Sequence, residues 1–197
     1  MGQYNPDIHH RRSIRLKEYD YSKSGYYFIT ICCQNHECFF GHIVGAPLVV
    51  APKTEFPENS EPPKEIVPSI TLTNAGKMID AEWEALPTRF PNIQLHEFVV
   101  MPNHFHAIIE IITGNSEVPD GNNLHKPTIG EIIAAFKSIT TVKYIEGVKT
   151  SGWKCFEGRL WQRNYYEHII RTSAAFDNIA NYIINNPAKW VEDRFYR

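Results

Sequence analysis

The sequence predicts an α+β fold: an antiparallel sheet of split βαβ connectivity, helices on one face, and a further C-terminal helix that carries a tyrosine. Two observations predict it. The apolar residues switch between a period of two and a period of 3.6, in the order strand, helix, strand, strand, helix, strand, helix. Within that order, Pro102-Asn103 separates two apolar runs closely enough to make them a hairpin.

The first strand is read at residues 26–34, Tyr-Tyr-Phe-Ile-Thr-Ile-Cys-Cys-Gln, where aromatic and β-branched side chains dominate. Residues 42–69 follow with Pro47, Pro52, Pro57, Pro62, Pro63 and Pro68, a density that sustains neither a helix nor an interior strand. Thr73 is placed to cap a first helix through about Leu86, because Ala75, Met78, Ile79, Trp83 and Leu86 recur at helical spacing before Pro87. The hairpin runs Phe98-Val99-Val100-Met101 and then Ala107-Ile108-Ile109 to Ile112, and a polar loop follows at 114–127. Thr128 starts a second helix striped by Ile132, Ile133, Phe136, Ile139 and Val142, expected to stop near Gly147. Residues 160–170 alternate as a fourth strand. Ser173 then opens a third helix that turns Phe176, Ile179, Ala180 and Ile183 inward before Pro187. This element order is that of a ferredoxin-like sheet, in one domain spanning 1–197, with insertions near 42–69 and 114–127.

Composition narrows the class of function. At 197 residues, with 43% hydrophobic and 13% aromatic residues, the chain has ample material for one core. No apolar run is long enough to span a membrane and no apolar leader opens the chain, so a cytoplasmic location is expected. Cys32, Cys33, Cys38 and Cys155 lack paired C-x-x-C spacing and are read as buried, reduced thiols.

The formal net charge of −2 hides an uneven distribution. Arg11, Arg12, Arg15 and Lys17 form a basic cluster with no acid among residues 9–17. Residues 137–171 set seven basic side chains against three acids, whereas 55–84 set seven acids against two lysines. The basic segments therefore remain candidate nucleic-acid contacts, although solvated charged faces account for any single cluster equally well.

The chemistry-bearing residues fall in two places. His104 and His106 stand at i and i+2 at the start of a strand, so both imidazoles project to one face while Phe105 turns into the core. Paired neutral imidazoles suit a divalent metal; in isolation an H-x-H is more often a pair of unrelated strand histidines. Tyr182 and Asn186 stand at i and i+4 on the last helix, so a phenol and an amide oxygen reach one small volume, with Asn186 a candidate third ligand. The plain reading is a packed tyrosine and an asparagine that helps to end a helix before Pro187.

Taken together, Tyr26-Tyr-Phe-Ile-Thr-Ile-Cys, Met101-Pro-Asn-His-Phe-His106, Leu160-Trp-Gln-Arg-Asn-Tyr-Tyr-Glu-His-Ile-Ile-Arg171 and Tyr182-Ile-Ile-Asn-Asn-Pro187 resemble the single-tyrosine HUH transposases, the REP-associated tyrosine transposases in particular. The likeness runs from about Arg11 to Trp190. It implies that His104 and His106 are the HUH histidines, that Tyr182 is the nucleophile, and that Asn186 sits where the family places an amide ligand. It further implies a divalent cofactor, Mg2+ or Mn2+, and a partner of single-stranded DNA that forms a hairpin. The implied reaction is endonucleolytic cleavage and strand transfer through a 5′-phosphotyrosine. The assembly would be a monomer or a homodimer, with the tyrosine acting in its own chain or in its neighbour.

Tyr165 and Tyr166 are rival nucleophiles on the fourth strand. Lys137, Arg159, Arg163 and Arg171 are expected to meet phosphates, with Arg11, Arg12 and Arg15 on the hairpin or its flank, and Trp161 is expected to stack on unpaired bases. Two competing functions remain: a non-catalytic regulator that binds nucleic acid on its sheet, and a small hydrolase that activates water at the two histidines.

Overall fold

A computed structural model describes residues 20–45, 67–112 and 126–197. The Arg11, Arg12 and Arg15 cluster and most of both expected insertions lie outside them. The central sheet contains β1 (Gly25–Cys32), β4 (Ile93–Val100), β5 (His104–Ile111) and β6 (Tyr166–Ile170), in the order β4-β5-β1-β6 with every neighbour antiparallel. Strands second and third in this set form the hairpin, and the first lies between the third and the fourth, which is the ferredoxin-like order. A separate ribbon pairs β2 (Gly41–Val44) with β3 (Ser69–Leu72), so the proline-rich stretch is bounded by two short strands that its composition did not announce.

Parity along the strands divides the side chains between two faces. Tyr27, Ile29 and Ile31 of β1 and Phe105, Ala107 and Ile109 of β5 are fully buried on one. Against them pack α1 (Asn74–Glu84), the short α2 (Leu86–Arg89) and α3 (Ile129–Ser151), with Trp83 set 4.7 Å from Phe105 and 5.1 Å from Phe136 between ring centroids. Burying side chains of this size stabilises by roughly 1.5–3 kcal/mol each, which makes this layer the main core. On the opposite face lies α4 (Ser173–Asn185), whose Ala180 and Ile183 meet Ile108 and Ile170 in a smaller cluster. Phe176 fixes its first turn, with ring centroids 5.1 Å from Tyr26 and 5.3 Å from His96. The histidine face of the sheet is thus the face that α4 covers.

Local signals explain the helix starts. Thr73 caps α1 by accepting from the Gly76 amide at 3.1 Å, and Thr128 with Glu131 forms a capping box on α3. α4 begins as expected, with Thr172 as its cap. Three features differ from the expectation. α3 continues past Gly147 to Ser151, because Gly147 serves packing: a Cβ there would fall 2.3 Å from the Trp153 ring, and the helix closes instead at Gly152, φ 66°. The fourth strand is a ladder only over Tyr166–Ile170, while Leu160 and Trp161 are joined to β1 through a single bridge, Cys33 to Trp161. The carbonyls of Gln162 and Arg163 just beyond it accept from Lys137 Nζ at 2.6 and 3.1 Å. Finally, only Cys32 and Cys33 are buried thiols; Cys38 and Cys155 are exposed.

Candidate active site

β5 begins with His104 and His106, both buried, their ring centroids 4.6 Å apart. Each imidazole is held by its Nδ1. The Asn103 side chain donates through Nδ2 to the carbonyls of His36 at 3.1 Å and Phe195 at 2.8 Å, which fixes its amide and turns Oδ1 to His104 Nδ1 at 2.9 Å. His104 Nδ1 therefore carries the proton, and Nε2 keeps a lone pair that is buried with no hydrogen-bond partner among the described residues. Thr30, opposite His106 in the β1–β5 register, meets His106 Nδ1 at 2.8 Å. The other nitrogen of that ring, Nε2, lies 3.2 Å from the Tyr182 hydroxyl.

α4 delivers the phenol because it crosses the histidine face with Ala180 and Ile183 turned inward, leaving Tyr182 at its edge with 43% of its surface exposed. Asn186, one turn on, is buried; its Nδ2 donates to Asp193 Oδ2 at 3.3 Å, and its Oδ1 has no partner among the described residues. After Pro187 the chain folds back over the site. Its Asp193 carboxylate, His104 and His106 place three ligand atoms within 4.8 Å of one another, and Phe195 packs on His104 at 4.6 Å between ring centroids.

The electrostatics favour the metal-binding form of the histidines. Burial holds His104 well below its ordinary range, with His106, His36 and Arg194 adding to the effect. Burial, followed by Arg194, lowers His106 to about 3. Both rings are neutral at physiological pH, the form in which imidazole ligates. Two buried acceptors without donors, His104 Nε2 and Asn186 Oδ1, would each cost roughly 1–3 kcal/mol if left bare, so the donor set fits a cation. Burial raises the Tyr182 phenol, as does the Asp193 carboxylate, while Asn186 and Arg194 partly oppose them.

The remaining expectations divide. His104, His106, Tyr182 and Asn186 meet in one place, within one chain. Tyr166 is 44% exposed on the same sheet face and contacts Phe28 edge-on at 6.2 Å. Arg159, Arg163 and Arg171 are exposed. Trp161 is a correction: it is 3% exposed, its indole donates to Thr140 Oγ1 at 2.9 Å and its ring packs on Phe40 at 5.0 Å, so it offers no face to a base. Lys137 spends its ammonium on the two carbonyls named above, and burial lowers it to about 8. Sequence reasoning missed Thr30, Asn103 and Asp193. Asn103 stands beside His104 in the sequence but carries only a turn signal there; Asp193 lies beyond the last periodic segment, where no pattern marks it.

The fold has a counterpart among solved structures. The structure matches a REP-associated tyrosine transposase, solved bound to a REP hairpin, with a TM-score of 0.52 at 17% identity, over 89% of this chain and 74% of that one. No model of a known protein family matches. In sequence the chain is 40% identical, over 205 residues, to an uncharacterised protein of Haemophilus influenzae, covering 98% of this chain and 97% of the relative. It belongs to the same family as that protein.

Proposed function

We propose that the chain is a metal-dependent single-strand DNA endonuclease and strand transferase that cuts beside a hairpin through a covalent 5′-phosphotyrosine on Tyr182. One observation carries the reading: the Tyr182 hydroxyl stands 3.2 Å from His106 Nε2, at the edge of the His104, His106 and Asp193 cluster. The hairpin partner is taken from the REP-associated transposase that shares the fold.

His104, His106 and an oxygen of Asp193 or Asn186 would hold the cation. When bound, magnesium or manganese supplies positive charge that polarises a non-bridging phosphate oxygen and offsets the repulsion between phosphate and nucleophile. Tyr182 is protonated at rest, and in the Nδ1–H tautomer that ligation through Nε2 requires, its hydroxyl donates to His106 Nε2 while Nδ1–H of that ring is directed to Thr30. Phenol and cation therefore compete for one lone pair, and Tyr182 must leave His106 to attack. Its proton is lost to solvent as its oxygen bonds to phosphorus and the bond to the 3′ oxygen breaks, and that leaving oxygen takes up a proton, giving the phosphotyrosine and a free 3′ hydroxyl. A second 3′ hydroxyl reverses the step and joins strands without an external energy source.

Incubating the protein with a labelled single-stranded hairpin DNA and manganese, then separating on a denaturing gel, tests this reading. A covalent adduct is expected with wild-type protein and with Tyr166→Phe, and none with Tyr182→Phe, which should still bind the DNA. An adduct that survives Tyr182→Phe would assign the nucleophile elsewhere, and binding with no adduct in any variant would leave a regulator.

A further inference from the structure

The exposed face of α4 carries an unusual composition. Asn178, Asn181 and Asn185 are exposed at i, i+3 and i+7, in the same stripe as Tyr182, and they line a cleft of about 500 Å³ completed by Lys189 and Arg194. Asparagine is a poor residue for an exposed helix interior, because its side chain competes for backbone hydrogen bonds. Asn185 closes the last turn of α4, its Nδ2 donating to the Asn181 carbonyl at 2.7 Å. Asn178 and Asn181 lie inside the helix and weaken it without filling any core, so their use lies outside the fold.

The stripe flanks the nucleophile, with Asn178 and Asn181 before Tyr182 and Asn185 after it. Neutral amides contribute little to phosphate binding, which in this cleft falls to Lys189 and Arg194. What an amide offers is a donor and an acceptor side by side, a pattern that pairs bidentately with N7 and N6 of adenine and, on that edge, with no other base. Unpaired nucleotides present those edges freely, and a cleft of this volume is of the size that holds a small ligand. Glu192 and Asp193 line the same cleft and oppose a bare phosphate track, which again favours contact through bases.

We infer that the Asn178–Asn181–Asn185 stripe is a base-reading edge for the unpaired nucleotides next to the scissile phosphate, with a preference for adenine. This inference rests on the nuclease reading for the identity of the strand, and its test is separate. Fluorescein-labelled 12-mers of dA, dT and dC are titrated against the full chain in EDTA, so that no cleavage intervenes, and anisotropy is read. Wild type is expected to bind dA about tenfold more tightly than dT or dC. Asn178→Ala with Asn181→Ala, which substitutes the best helix former, should bring the three within about twofold. Its salt dependence should match wild type, since no cation is removed, and circular dichroism should show the helix content kept. Lys189→Ala should weaken all three oligonucleotides alike. Equal binding by wild type, or a double variant that keeps the full dA preference, overturns the inference. A missing manganese-dependent adduct overturns the nuclease reading, and leaves an asparagine-dependent dA preference standing as a binding site.

Discussion

Asn103 ties three separate pieces of chain to one imidazole: its amide nitrogen spans the His36 and Phe195 carbonyls while its oxygen holds His104 Nδ1. Partners of this kind set the tautomer and direction of a ligand ring. Asn103→Ala is therefore expected to weaken manganese binding about 10–100-fold, read by isothermal titration calorimetry. An unchanged affinity would mean that burial alone orients His104. Asp193→Ala and Asn186→Ala identify the third ligand in the same assay, since Asp193 lies with the histidines in the ligand cluster and Asn186 Oδ1 is a buried acceptor without a donor. The larger loss is expected for Asp193, whose carboxylate brings charge to the site. The residues that face each other by periodicity, His104 with His106 and Tyr182 with Asn186, were legible in the sequence. Thr30 and Asp193 were not, because their places depend on strand register and on a chain reversal after Pro187, neither of which leaves a periodic trace.

At the scale of elements, caps and apolar stripes predicted where helices begin better than where they end. Thr73 and Thr128 carry chemistry that acts within one turn, so the sequence displays it. Gly147 looked like a stop and is a contact: Trp153 lies where a side chain would be. Gly76 is tighter still, since a Cβ there would stand 2.0 Å from the Phe40 carbonyl oxygen, a backbone atom that cannot swing aside. Helix propensity alone would favour alanine at this interior position by roughly 1 kcal/mol. The clash reverses that sign: Gly76→Ala is expected to destabilise the fold by about 1–3 kcal/mol in urea unfolding. A neutral or stabilising result would show that α1 can move away from the β2–β3 ribbon. Lys137→Met, which strands the Gln162 and Arg163 carbonyls, is expected to lower stability while leaving the salt slope of DNA binding unchanged.

Across the whole molecule, the site's neutrality is bound to the stability of the fold. Burial keeps His104 and His106 unprotonated in the folded chain, while in the unfolded chain both titrate near 6.5. Above 6.5 neither state carries the protons, and these groups leave stability independent of pH. Below it the unfolded state takes up protons that the folded state refuses until about 3 for His106, so unfolding is favoured progressively as pH falls through that window. Each histidine contributes a slope of up to about 1.4 kcal/mol per pH unit. His106→Gln removes one of the two, so its unfolding free energy should fall less steeply than that of wild type between about pH 6 and pH 4, whatever its stability at pH 7. Saturating manganese should raise the wild-type Tm at pH 7 and lose that effect on acidification, because protons and cation compete for the same nitrogens. If denaturation followed by circular dichroism gives parallel slopes for wild type and His106→Gln, His106 titrates in the folded chain as it does in the unfolded one, and burial does not hold that imidazole in its neutral, ligating form.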